Sequence, residues 1–417
     1  MKTRYRYLQI LASAFLLLAF AVKGSAQTDA SYITISGTVR DAETKSKLEY
    51  VSVSVLNTAV STITNTDGTF SIKVTKSLGA NSLVFSHLGY ASQALTIGNN
   101  NLNNIEISLN PMTYQIGEST IGHDALQIVS AAISKVKDNY SPKAAMLTGF
   151  YRETIKKRNS YINISEAIMY SYKDPYNKEV SSDKAQIYKG RQLLSIKPSD
   201  TLMVKLQGGP AVSVFMDAVK EWDILTDAES LTYYTFTMSG SSIIDGRPHH
   251  VINFSPRVIV HYALMYGKMY IDEQTLTFTK IEANLSMDDE NKATQAMLKR
   301  KPFGLRFTPE SLSYEVNYKR QGEISHLSYV RSELRFKCDW KRRLFRSNYL
   351  ITAEMVTTDV QDNDVAKIPA KIAFNQSHSL SDKVSNFYDE NFWEDYNIIE
   401  PTESLESAVN KLRKKQE

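Results

Sequence analysis

The chain has one cysteine, Cys338, in 417 residues. A single thiol closes no internal disulfide, so stability has to come from burial. Cys338 sits in the strand-like run SELRFKCDW and reads as a small buried hydrophobe. Charge of one sign is also lacking. Lys and Arg number 49 against 45 Asp and Glu, and Lys2, Arg4, Arg6 and Lys23 all fall in the first 26 residues. The remaining 391 residues balance at 45 and 45. That balance gives no attraction toward nucleic acid or an anionic membrane. Only one long apolar run occurs, from Leu8 to Val22, and none of the later segments reaches the roughly 20 apolar residues of a spanning helix.

Catalytic signatures are missing as well. None of the seven histidines is followed by Glu three residues on, and H-E-x-x-H, G-x-S-x-G, the P-loop and G-x-G-x-x-G are absent. His249 and His250 are adjacent in a strand pattern and so point to opposite faces, a poor start for one metal. The sequence therefore nominates no catalytic residue, no metal ligand and no cofactor.

What is present begins with an address. Lys2, Arg4 and Arg6 precede the apolar run, and Gly24, Ser25 and Ala26 follow it. This is the pattern of a secretory signal peptide, with cleavage expected between Ala26 and Gln27. The mature chain is then expected outside the cytoplasm, periplasmic or associated with the outer membrane.

From Ile33 to about Leu109 short alternating strands follow one another: ITISGTVRD, VSVSVLN, TFSIKV, SLVFSHLGY and NIEISLN. Period-two alternation gives each strand one buried face, and several such strands in under a hundred residues predict an antiparallel sandwich. The stretch NTDGTFSI within it raises calcium as a possibility. Asp67 is the only carboxylate between Glu49 and Glu106, whereas a calcium loop needs several. Asp67-Gly68 is instead expected to be a tight turn, as is Asp245-Gly246 further on.

Gly37-Thr38-Val39, Asp41, Thr66-Asp67-Gly68-Thr69-Phe70 and Leu88-Gly89-Tyr90 together resemble the carboxypeptidase regulatory-like domain of Bacteroidota cell-envelope proteins. The resemblance implies a seven-stranded, transthyretin-like sandwich without activity of its own. Such modules accompany zinc carboxypeptidases or precede outer-membrane receptors. The first needs a His/Glu zinc set that is lacking here. The second needs a closed barrel of some 22 strands, for which about 300 residues are too few.

The rest of the chain is expected to be dominated by one antiparallel sheet. HDALQIVSAAISKVKDNYSP carries Leu126, Val129, Ile133 and Val136 at helical spacing. GPAVSVFMDAVKEWDIL predicts a second helix with Val212, Phe215, Met216, Val219 and Trp222 on one face. From Leu231 onward strand patterns and turns alternate without crossover helices, which argues for a large sheet that must be covered or closed. MDDENK, at 287–292, reads as a solvated loop. The segment IDGRPHHVINFSP…YGKMYIDEQTLTFTKIEANL resembles the curved half-barrel of periplasmic lipoprotein carriers. That resemblance implies an acyl-type cavity lined by Phe215 and Trp222, with Tyr262 and Tyr266 near its mouth. A short helix is expected after Pro401, its acids first and its bases last.

The expected organisation is signal peptide 1–26, sandwich 27–112, linker 113–122, a sheet-dominated α+β domain 123–400 and a terminal helix 401–417. The expected function is a non-enzymatic envelope binding or accessory protein whose partner is an apolar ligand, a peptide or another envelope protein. An envelope hydrolase with an unrecognised site and a purely structural surface protein are the alternatives.

Overall fold

The structure is a computed structural model. It describes residues 31–112, 124–178, 182–197, 200, 202, 204–206, 216–340, 346–375, 380, 384 and 392–414. The expected cleavage point at Ala26 and Gln27, and Phe215, lie outside the described residues.

The first seven strands are β1 (Tyr32–Asp41), β2 (Ser52–Val55), β3 (Ser61–Ile63), β4 (Thr69–Thr75), β5 (Ser82–Ser86), β6 (Gln93–Thr96) and β7 (Leu102–Leu109). They form two sheets, ordered β4-β1-β7 and β3-β2-β5-β6. Val39, Val53, Ile72 and Ile107 fill the space between them, and Phe70 meets Phe85 edge-on at 5.2 Å. One pairing departs from the antiparallel expectation: β1 and β7 run parallel, with a bulge between Ile35 and Gly37. Gly37 is required there because a Cβ would lie 2.1 Å from the Ile105 carbonyl oxygen.

Ten further strands build one sheet: β8 (Ala145–Lys157), β9 (Ser160–Lys173), β10 (Lys184–Leu194), β12 (Tyr234–Ile244), β13 (Arg247–Pro256), β14 (Met265–Asp272), β15 (Phe278–Leu285), β17 (Leu305–Gln321), β18 (Ile324–Trp340) and β19 (Ser347–Gln361). Their order is β10-β9-β8-β19-β18-β17-β15-β14-β13-β12, antiparallel throughout. A two-stranded ribbon, β11 (Lys205–Leu206) with β16 (Leu298–Arg300), stands apart. Strand β17 begins earlier than its apolar alternation suggests. It tolerates Pro309 because a bulge between Pro309 and Ser311 interrupts the ladder there.

The large sheet is curved and covered on both faces. Tyr151, Ala167, Met169, Val330 and Met355 pack under helices α1 (Asp124–Ser134) and α2 (Val136–Asn139) and the 216–231 segment. The alternate positions Phe150, Ile168, Tyr329 and Val356 pack instead against Ile63 of the sandwich and Phe392, Trp393 and Ile399 of the C-terminal tail. Double cover explains why eight consecutive residues of β9 are buried.

Two helical expectations need correction. The 216–231 segment is three single turns, α3 (Ala218–Glu221), α4 (Asp223–Thr226) and α5 (Ala228–Leu231), rather than one long helix. Trp222 and Asp227 are extended between the turns, and the Asp227 carboxylate accepts from the Glu229 and Ser230 amides. At the second break the short polar side chain of Asp227 thus offers the backbone an alternative to a continuing helix. At 287–292 the expected loop is instead the start of α6 (Glu290–Met297), because Asp289 accepts from the Asn291 and Lys292 amides as an N-cap. Helix α7 (Glu403–Arg413) begins after Pro401, capped by Thr402, and buries Leu405 and Leu412 against Ile164.

Candidate ligand cleft between the sandwich and the sheet

The sandwich is fastened to the large sheet and to the C-terminal tail by hydrogen bonds from β3 and β4. Ser61 Oγ donates to the Thr357 carbonyl at 2.9 Å and Thr62 Oγ1 to the Ile398 carbonyl at 2.8 Å. Asn397 pairs with the Lys73 backbone in both directions, at 2.7 and 3.1 Å. On the other side of β2 the Gly89 amide donates to the Ile243 carbonyl at 3.1 Å. The tail is itself anchored by an ion triad in which Arg152 and Glu166 are buried and Arg191 is partly exposed. Glu166 takes Arg152 at 2.8 Å and Arg191 at 2.6 Å, and Arg152 Nη2 donates to the Ile399 carbonyl at 2.7 Å. Burial works against the Glu166 carboxylate, but the two guanidinium groups hold it below the usual range.

Between these fastenings the two units leave a cleft of about 370 Å³, within the range of small-molecule sites. The sandwich contributes Tyr50, Ser52 and His87, and the sheet contributes Lys280, Glu315 and Lys319. Tyr50 has φ +58°, a conformation that a bulky residue rarely adopts. Its ring lies 5.9 Å from that of Tyr329 and under the Arg331 guanidinium at 5.3 Å.

The two lysines differ. Lys280 Nζ lies 2.9 Å from Glu315 and 3.0 Å from Glu282. Burial penalises its charge, yet these two carboxylates outweigh that and raise its pKa. Lys319 Nζ donates to Ser52 Oγ at 3.1 Å, and no carboxylate of the described residues lies within 4.0 Å of it. Burial lowers its pKa, with only the more distant Asp245 opposing. Burial, helped by the charge of Lys280, likewise lowers that of His87.

The residues nominated from sequence are scattered. Trp222 is only 6% exposed and meets the Tyr314 ring at 6.2 Å in the packed core. Tyr262 and Tyr266 are 37% and 46% exposed, and none of the three borders the cleft. Asp67-Gly68 is a turn, with Gly68 at φ +69°, but it joins strands of different sheets rather than a hairpin. Asn65 Oδ1 accepts from the Asp67 and Thr69 amides, and Asp67 Oδ2 accepts from the Glu403 amide at the start of α7. Asp245-Gly246 is a two-residue hairpin turn with both φ values positive, joining Ile244 to Arg247. Asp245 also lines the cleft.

His249 is buried between the Arg247 carbonyl and the Thr279 hydroxyl. Among the described residues no group of three His, Cys, Asp or Glu side chains is close enough to hold a metal ion. Cys338 is buried. Reasoning from sequence missed Tyr50, Lys280, Glu315 and Lys319, which local patterning does not distinguish from solvated strand positions.

The chain thus combines a seven-stranded sandwich with a covered ten-stranded antiparallel sheet. Residues 35–121 match the family model of the CarboxypepD_reg-like domain. Two solved structures are similar to larger parts. One is a DUF1329 family protein from Desulfovibrio piger, at 9% identity and TM-score 0.27, covering 59% of this chain and 96% of the other. The second is a putative membrane-associated protein of unknown function from Bacteroides fragilis, at 9% identity and TM-score 0.15, covering 79% and 98%. At these scores neither likeness carries a functional argument. No curated protein matches the chain. None of the helices among the described residues is long and apolar enough to cross a membrane.

Proposed function

We propose that the protein is a non-enzymatic binding or accessory protein of the cell envelope, with the sandwich as a docking module fixed against the curved sheet. Its ligand enters the cleft between the two units, not an apolar cavity beside Trp222. The observation that carries this reading is the cleft itself: two independently cored units meet around about 370 Å³ bordered by the partly buried ionic groups of Lys280, Glu315 and Lys319. The export-type N-terminus and the domain match at 35–121 support an envelope location, periplasmic or outer-membrane associated. Native mass spectrometry of Gln27–Glu417, exported to a bacterial periplasm and purified gently, tests the reading. A retained small-molecule mass that organic solvent removes supports it. A clean apo mass, with a chelator-sensitive hydrolytic activity, refutes it.

A further inference from the structure

We propose that the cleft recognises a carboxylate, held by the Lys319 ammonium against Ser52; this rests on the cleft being the ligand site. The geometry is asymmetric. Lys280, across the cleft, is neutralised by two carboxylates at 2.9 and 3.0 Å. Lys319 has three N–H donors and uses one, on a neutral hydroxyl at 3.1 Å. Lys319 is half-buried; an ammonium partly withdrawn from water without a counter-ion is costly, and an entering anion removes that cost at the point where it binds. The same burial lowers the Lys319 pKa, and a bound carboxylate opposes that shift by favouring the charged form.

The rest of the lining selects the kind of anion. Three carboxylates, Glu49, Asp245 and Glu315, and three lysines, Lys47, Lys280 and Lys319, border the cleft, so its lining has no excess positive charge to hold a dianion such as phosphate. A monoanion matches it. Leu48, Ile63, Tyr329 and Val356 supply apolar surface for the remainder of the ligand. Ser52 belongs to the sandwich and Lys319 to the sheet, so the carboxylate bridges the two units and binding tightens their docking.

The test is calorimetric titration of Gln27–Glu417 with 3-phenylpropionate, its uncharged amide and inorganic phosphate. It is repeated on Lys319→Met, and on Lys319→Arg as the charge-preserving variant. The expected result is that the acid binds at least tenfold more tightly than the amide. Lys319→Met removes that preference, Lys319→Arg keeps it, and phosphate is the weakest. If acid and amide bind alike, or if Lys319→Met keeps the preference, the carboxylate assignment is wrong while the cleft remains a ligand site. Phosphate binding as tightly as the acid also overturns the assignment. If none of the three binds, the cleft fails as a ligand site too.

Discussion

Replacing Asp217 with Asn tests whether the helical segment is locked onto the sheet by charge. Asp217 is fully buried and takes three donors: Lys173 Nζ at 2.8 Å, Tyr176 Oη at 2.6 Å and Tyr318 Oη at 2.8 Å. Lys173 also reaches Asp183 at 2.5 Å, and Lys220 reaches the same Asp183 at 2.8 Å. The cluster therefore sets two buried cations against two buried anions. Asp217→Asn keeps the volume and removes one negative charge, leaving both ammonium groups to Asp183. Breaking a buried pair this way costs about 3–5 kcal/mol, a large part of a typical total of about 5–15 kcal/mol. Urea titration followed by tryptophan fluorescence reads the loss, and Trp222 reports the segment directly. Lys178→Ala, at the 49% exposed edge of the network, is the control and costs under about 1 kcal/mol. A loss below about 1 kcal/mol for Asp217→Asn would refute the lock. The pH window follows from the shifts. The Asp183 carboxyl is held below 3.8 by Lys173 and Lys220 despite burial, so its contribution is present above that value and lost as pH falls through the folded pKa. Lys173 is raised above 10.5 by Asp217 and Asp183 despite burial. Its contribution is full below that value and fades as pH rises through the folded pKa.

Other outcomes are equally open to measurement. Lys319→Met removes a half-buried ammonium that no carboxylate of the described residues neutralises and is expected to raise the ligand-free melting temperature, by the equivalent of about 1 kcal/mol; a fall of that size contradicts the charge account. Asp67→Ala loses the carboxylate that accepts the Glu403 amide and is expected to cost about 0.5–2 kcal/mol, while millimolar calcium leaves the wild-type melting temperature unchanged. Burial pushes the Cys338 thiol up to about 11, so a thiol reagent at pH 8 labels the unfolded chain and not the native one. His87, His249 and His326 are lowered from 6.5 mainly by burial. The unfolded chain therefore takes up those protons first, and stability declines as pH drops below about 6.5; a flat melting temperature between pH 7 and 5.5 contradicts this.

Strand alternation made the sandwich legible, down to Phe70 and Ile72 on one buried face, because β1 and β4 of the three-stranded sheet each turn one side to the core. The large sheet was legible as a class but not in its cover. Phe150 and Tyr151 are both buried because helices take one face and the sandwich the other, and no local period reports what a distant unit will cover. The cleft was hidden for the same reason. Glu315, Asn317 and Lys319 occupy positions that read as wet in SLSYEVNYK, and only docking of β2 and β3 encloses them. Trp222 was nominated from a helical stripe, and the stripe is broken where Trp222 itself turns extended and where the Asp227 carboxylate caps a separate turn. The C-terminal helix, by contrast, carries its own instructions in Pro401, Thr402, early acids and late bases, and it forms where they place it.

Hydrogen–deuterium exchange of Gln27–Glu417, with and without saturating 3-phenylpropionate, tests most directly whether the junction of the two units is the binding site. Protection is predicted in residues 50–54 and 315–319, the two walls that carry Ser52 and Lys319. Protection confined to residues 216–231, or none at all, would contradict a cleft between sandwich and sheet as the seat of function.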